Sequence, residues 1–560
     1  MARRTLFIAP LLLAVSATLT GQQPRQLPTD PAHPMLNQGP KEEASGSQVM
    51  VSTQLASSTV AALNVLEAGG NAIDAAIAAT FLQQVDDYHM VFLFGSMSAL
   101  YYDAASNKTY AISAVGERPR ADRDPNGKGD PSKVAVGGTV RGLASLHKRF
   151  GTKPWNSLVL PAAEAAEAGA TVTSFMYGLN FALFDAGVLD DGISKSAEAR
   201  AFYMPDGHLV PVGRRWKMPA LAATLRKVAA DPDYMYTGDW GRKFVEAANK
   251  AGGRVTLEDL AEYKPVWDEP VRFTYRGHEI LSSPAPDSGG LIIGYNLNIL
   301  ENFDLKKLGH YSQSAETLEI MARTFDRVSG ETRFAIRDPL NTNLPSSLWL
   351  SKDYGRMGAE FVRQTMPKVE MGPSKTTNPI GGDEIQTGSD HIVIADAQGN
   401  WISMLHTIHG GAPGVFIDGV RASGTAAPAF THGPGRRIVL PISAVMVMRE
   451  GKPRLAMGTP GNPPQPVTEV LINMLDFGMA PKAAAEAPRF WAFAGADRTL
   501  DIESRIAPEV REKLRRRGIA IRDLGPYDYH TGSMQIVWRG DDGRLHGVSD
   551  PRRLGFAAGY

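Results

Sequence analysis

Cysteine is absent from this 560-residue chain. That excludes disulfides and a lipid-modified cysteine anchor, so folding must rest on core burial. Net charge is missing as well: 59 Lys+Arg balance 59 Asp+Glu, leaving no overall field to attract nucleic acid or an anionic membrane. No Gly-x-Ser-x-Gly elbow, Walker loop or His-Glu-x-x-His pattern occurs, which removes the commonest serine-hydrolase, nucleotide-binding and zinc-protease signatures. His406 and His409 stand three apart. On a strand that spacing points them to opposite faces, so no shared metal is expected, and no cofactor is implied. What is present is an ordinary globular composition, 43% hydrophobic and 21% charged, enough for one large layered core or two domains.

The amino-terminal segment reads as a targeting signal. Arg3 and Arg4 precede an apolar run from Leu6 to Val15, and Val15-Ser16-Ala17 offers small residues to a signal peptidase. The run is shorter than the roughly 20 residues a membrane span needs, so residues 1–21 are expected to be a signal peptide. Export to the periplasm or beyond, with no stable membrane anchor, follows. Two arginines do not choose between export routes. Residues 22–47, rich in Pro, Gly and Gln, read as a flexible lead-in, with order expected from about Met50. Ser57 or Ser58 is positioned to cap a first helix, and Asn71 with Asp74 to cap a second, alanine-rich one that lies flat on a sheet. Gly116 to Gly138 reads as a long loop, and Arg515-Arg516-Arg517 as a solvated helix face.

The chemistry concentrates around Gly388-Ser389-Asp390-His391. Ile392 to Asp396 reads as a buried strand, Ala397-Gln398-Gly399 as a turn, and Trp401 to Leu405 as the returning strand. With the turn centred on Gln398, Ser389 faces Thr407, and a one-residue slip would part them. A hydroxyl at a strand's head suits a nucleophile whose base is its own α-amine, freed when the chain is cut at Gly388-Ser389. Such an amine titrates near about 7.7–8.0, so part of it is neutral at neutral pH. Taken alone, a Ser and Thr pair more often just begins and fills strands. Thr387 competes as the nucleophile, but the same register sets it against His409.

Several motifs recur in a fixed order. They are Ala68 to Ala76 (AGGNAIDAA), Tyr101-Tyr102-Asp103, Ser283 to Gly290 (SPAPDSGG), Leu297 to Phe303, Asp396 to Asn400, Pro434 to Arg437, Gly458-Thr459-Pro460-Gly461, Ala487 to Phe490, and Ser549 to Arg552 with the ending Gly559-Tyr560. In that order, from about Met50 to Tyr560, the chain resembles the γ-glutamyltranspeptidase family of N-terminal-nucleophile hydrolases. The resemblance implies an α+β fold, a four-layer αββα sandwich. It also implies self-cleavage into a large subunit, 48–388, and a small subunit, 389–560, that stay associated. The family usually reads Thr-Thr-His where this chain has Ser389-Asp390-His391. Ser389 thus takes the nucleophile's place and Thr407 that of its supporting threonine. Gly461 and Asn462 stand where the family uses two glycines to steady an oxyanion.

Departures from the family pattern cluster where it binds the glutamyl head. The carboxylate-gripping arginine falls on Gly116, followed by Glu117 as expected, with Arg118 or Arg120 as possible substitutes. The asparagine after the supporting threonine is His409, the amine-binding aspartate falls near Ala429, its neighbours near Thr425 and Ala426, and the serine pair on Leu440 and Pro441. The glycine-rich run before Tyr101 is the bulkier Leu93 to Met97. Ala, Leu and Pro offer a zwitterion no side-chain partner. Losing such a charged contact costs several kcal/mol, on the order of 10²-fold in affinity. The expectation is therefore a small, less charged amide, with Glu117, Arg118 and His409 as substrate-facing residues. Two rivals remain: a γ-glutamyl peptide hydrolase or transpeptidase, and an unprocessed binding protein on the same fold.

Overall fold

The computed structural model describes residues 39–120, 134–184, 193–332, 335–339, 343–366, 388–408, 415–422, 435–461, 463–494 and 499–560. The expected signal peptide lies outside them. In chain order the strands of two large sheets are β1 (Ala44–Gly46), β2 (Met50–Thr53), β3 (Ser96–Asp103), β4 (Lys108–Ala114), β5 (Val266–Asp268), β6 (Val271–Tyr275) and β7 (His278–Ser282). They continue with β8 (Asp390–Ala395), β9 (Trp401–Thr407), β10 (Val445–Arg449), β11 (Lys452–Gly458), β12 (Gln535–Arg539), β13 (Leu545–Ser549) and β14 (Phe556–Gly559). One sheet runs β14-β2-β8-β9-β3-β4-β5 and the other β1-β13-β12-β11-β10-β7-β6. Neighbours in both are antiparallel.

Alternation along the strands sorts the core into three buried interfaces. Ile392, Ile394, Ile402 and Met404 face helices α1 (Ala56–Glu67), α2 (Ala72–Asp86) and α3 (Thr139–Phe150). Val393, Ala395 and Trp401, on the opposite face of the same strands, meet Met446, Ala456 and Val537 of the second sheet. That sheet's other face packs on α5 (Gly289–Leu300), α6 (Ala315–Thr332) and α7 (Pro464–Leu475), after the intervening α4 (Ser174–Phe184). The result is the expected helix, sheet, sheet, helix stack.

Three motifs meet at the far end of the β8–β9 hairpin and fix its position. Asn71 and Asp74 form a reciprocal cap on α2. Asp396 Oδ2 accepts from the Ala72 amide at 2.8 Å, and Oδ1 from Gln398 and Asn400 at 3.0 and 2.8 Å. Asn400 Oδ1 in turn accepts from Ala104 beside the Tyr-Tyr-Asp segment at 3.0 Å.

Two local expectations are corrected. Helix α1 starts at Ala56 behind Leu55, and neither Ser57 nor Ser58 caps it; the Ser58 hydroxyl donates back to Leu55 O at 2.9 Å. Order also begins before Met50, because β1 pairs with β13 within the expected lead-in. Two residues of the basic run behave as expected, Arg515 pairing with Asp523 at the surface and Arg516 with Glu512, whereas Arg517 reaches the buried Glu319 of α6.

Candidate active site

The register of the hairpin is the one its turn implies. Asp390 pairs with His406 and the ladder runs to Ala395 with Trp401, so Ser389 stands one position beyond, against Thr407. Thr407 pairs on its other side with Ser96. Both hydroxyl residues are buried, at 5% and 4% exposure. Ser389 donates its amide to Met90 O at 2.8 Å and holds φ at 110°, a region costly to a residue with a Cβ, by about 1–3 kcal/mol. Gly388 is required beside it: a Cβ there would lie 2.5 Å from Ile408 Cγ2 and 3.2 Å from Thr407 Oγ1. The intact link between 388 and 389 thus lies beside Thr407, with no room for a side chain at 388 and a strained backbone at 389.

Beneath this junction His391 anchors the glycine turn. Its Nε2 lies 2.9 Å from Ser403 Oγ, which donates its one hydrogen to Met457 O at 3.0 Å. His391 therefore donates from Nε2, and burial, with His406 adding, lowers its pKa to about 3, so the ring is neutral. Gly458 packs on that ring so closely that a Cβ would come within 2.1 Å of it. Thr459 Oγ1, accepting from the Ser533 amide at 2.5 Å, carries the turn on to Gly461. Arg553 Nη2 is 4.0 Å from where a Gly461 Cβ would stand, and Arg553 Nη1 is 3.5 Å from Ser389 O. One arginine therefore lies near both the turn and the strand head. Asn462 lies outside the described residues.

The described part of the expected head-group region is apolar and internally paired. Gly116 donates its amide to Ser96 Oγ at 2.9 Å, one hydrogen bond away from the strand partner of Thr407. Leu440 is buried with Val115, Leu405, Ile438 and Ile442, so the position carries no donor toward a carboxylate. Glu117 has an internal partner, Arg437 Nη2 at 3.5 Å, although burial raises its carboxyl pKa. Its backbone pairs with Val136. The Arg118 amide donates to Arg436 O at 2.9 Å, and the Arg120 guanidinium pairs with Glu262 at the surface. His409, Thr387, Thr425, Ala426 and Ala429 lie outside the described residues.

Sequence patterns give no hint of a second polar group at the site. Asp87, the C-cap of α2, contacts Asp390, with His89 and Arg553 beside them. Asp390 belongs to the Ser389 cluster, but Asp87, His89 and Arg553 reach it only through the fold. His406 faces the same way, between Gln83 Oε1 at 2.7 Å and Gln84 Nε2 at 3.1 Å. Its role is structural.

A four-layer αββα stack with a hydroxyl at the head of a central strand is the architecture of the N-terminal-nucleophile hydrolases, and the chain is an enzyme of that class. A family model described as Gamma-glutamyltranspeptidase matches residues 58–560, and the chain belongs to that family. It is 30% identical to the Acylase ACY 1 proenzyme of Pseudomonas sp. (strain SE83), over 91% of this chain and 93% of the relative. It is 28% identical to the Glutathione hydrolase proenzyme of Escherichia coli (strain K12), over 98% of each. Among solved structures, cephalosporin acylase from Bacillus halodurans superposes with a TM-score of 0.79 at 24% identity, covering 93% of this chain and 97% of that one. At that identity the likeness concerns the fold.

Proposed function

We propose that the chain cuts itself at Gly388-Ser389 and then works as an amide hydrolase on an acyl donor without a standard γ-glutamyl head. The observation that carries this reading is Ser389 itself, held at φ 110° against Thr407 at the start of a central strand. Its Oγ attacks the Gly388 carbonyl carbon, the C–N bond breaks, and the proton from Oγ ends on the nitrogen. Water then hydrolyses the resulting ester, leaving a carboxylate on Gly388 and a free amine on Ser389. Cutting releases the backbone strain at 389.

In turnover that amine takes the Ser389 proton as the hydroxyl attacks the substrate amide, then passes it to the substrate nitrogen as the C–N bond breaks and the amine product leaves. Thr407 orients the α-amine, and Gly461, with Asn462 next in sequence, would steady the oxyanion. Water releases the acyl group. Subunits 48–388 and 389–560 would stay together because their strands alternate: β2, from the large one, lies between β14 and β8 of the small one. The buried Leu440 and the Glu117–Arg437 pair favour a weakly charged head group. Relatives named as proenzymes, one of them an acylase, support the same reading. Export is part of it, and the mass of the secreted large chain tests cleavage near residue 21. Among the described residues no helix is long and apolar enough to cross a membrane.

Denaturing electrophoresis and intact mass are the test. Two fragments, the smaller beginning at Ser389, are expected, and Ser389→Ala should stay whole and inactive. A wild-type chain that remains whole while turning over substrate defeats the proposal. The glutathione hydrolase likeness, spanning 98% of both chains, favours a second reading as a γ-glutamyl hydrolase. Faster release from a γ-glutamyl anilide than from an uncharged acyl anilide would select it.

A further inference from the structure

We propose that Asp87, Asp390 and Arg553 form a proton-sharing clamp that positions the Gly388–Ser389 link for self-cleavage, an inference that rests on the self-processing reading above. Asp390 is the first residue of β8 and faces α2, as its partner His406 does. Asp87 closes that helix. The two residues are 0% and 5% exposed, and each carboxyl acts on the titration of the other. Ionised carboxylates only accept, so the contact holds when a proton sits between them. As carboxylate oxygens, both buried oxygens of Asp390 lack a hydrogen-bond partner among the described residues, and a shared proton supplies one.

Charge counting leads to the same state. The groups around the pair are Asp86, His89 and Arg553, and Tyr529 and Asp550 act on Arg553 in turn; Asp86 has its own partners in Ser57 and Arg215. His89 Nε2 lies 3.2 Å from Asp87 Oδ1, yet burial and Arg553 lower its pKa to about 3, so it is neutral. Burial keeps Tyr529 protonated, and Asp550 is engaged by Arg489 and Arg552. One shared proton leaves the acid pair with a single negative charge, which Arg553 balances. The end of α2 carries the negative pole of its helix and disfavours a second charge.

Arg553 transmits this state to the reacting bond. It is 3% exposed, its Nη1 reaches Ser389 O at 3.5 Å and its Nη2 Tyr529 O at 3.4 Å, while Nε has no partner among the described residues. Loss of the shared proton doubles the charge of the pair and draws the guanidinium from the Ser389 carbonyl. These are positioning residues, since none touches a reacting atom. The family's usual Thr-Thr-His has no carboxyl at the second position, so the clamp is a property of this chain.

Self-cleavage is the right readout, because the Ser389 amine is still tied up in the peptide and cannot titrate. Purified precursor is followed by denaturing electrophoresis from about pH 6 to about pH 9, across the neutral range. Asp390→Asn supplies an amide that donates to Asp87 at every pH. Relative to it, wild type should slow by up to about tenfold per pH unit once the proton is lost. Asp390→Leu should be slower at every pH, by roughly tenfold or more. Parallel profiles for wild type and Asp390→Asn, with both being cut, overturn the clamp and leave self-processing standing. If wild type is never cut, self-processing fails instead. The clamp is then judged in a Ser389→Ala background, where Tm should fall more with rising pH for Asp390 than for Asp390→Asn. Equal trends there overturn it.

Discussion

Arg552 and Arg553 are neighbours in the chain, both buried, and their surroundings are opposite. Arg552 uses all five of its N–H donors: Nε and Nη2 grip Glu503 at 2.6 and 2.8 Å, Nη1 reaches Asp550 at 3.1 Å, and Ala485 O and Ala487 O take the rest at 3.0 and 2.8 Å. Arg553 makes two long contacts and leaves Nε without a partner among the described residues. A buried charge that is fully satisfied defines one structure. A partly satisfied one can change state, and it sits at the reacting bond.

The two clusters should therefore answer mutation and pH with opposite signs. The largest effect is expected at Arg552. Arg552→Met leaves buried Glu503 with Arg505 and buried Asp550 with Arg489, each carboxylate short of one cation, a loss of about 3–5 kcal/mol, measured by urea unfolding of the Ser389→Ala precursor at neutral pH. Arg553→Met removes a charge whose partners can hold an extra proton, so its loss of stability should be clearly smaller. Equal losses would erase the distinction between the two sites.

pH separates them further, at up to about 1.4 kcal/mol per pH unit for each proton. Despite burial, which works the other way, Arg489 and Arg552 hold Asp550 below the usual carboxylate range. Its stabilisation is complete at neutral pH and fades in acid, as pH falls through the lowered pKa. Burial raises Asp390, and pushes Asp87 up to about 7, with Asp390 and Arg553 opposing that rise. Their contribution is complete in acid and lost as pH climbs through neutrality. Stability curves from acid to mildly alkaline pH should then lose their acid limb in an Asp550→Asn variant and their alkaline limb in Asp390→Asn.

The same contrast shows what the chain's letters disclose. The β8–β9 register was legible because a period of two and a short turn fix every pair, and Asn71 with Asp74 because a reciprocal cap needs only three residues. The motif around Arg552 could be recognised, though not its partners. The meeting of Asp390 with Asp87 and Arg553 was invisible, since the three are distant in sequence and meet through tertiary packing. Glu117 was expected to face substrate, whereas its partner Arg437 comes from a distant segment. Strand β1 was missed because three residues without alternation carry no pattern; its pairing with β13 supplies the order. Ser58 resembled a cap because hydroxyls bond nearby carbonyls inside helices too.

The finest discrimination lies in replacing each arginine by lysine. Lysine keeps the charge but gives up the planar fork. At 552 the fork is the point, for two nitrogens bind one carboxylate of Glu503, and Arg552→Lys should lose a large part of what Arg552→Met loses. At 553 the geometry is loose and the charge balances the acid pair. Arg553→Lys should therefore cut itself within tenfold of the wild-type rate, a change below about 1.4 kcal/mol in barrier, and keep the alkaline decline. If Arg553→Lys is as slow as Arg553→Met, the guanidinium's reach to Ser389 O matters more than its charge, and the clamp works by directional bonding. If Arg552→Lys is harmless, the five-donor network around it carries less stability than its completeness implies.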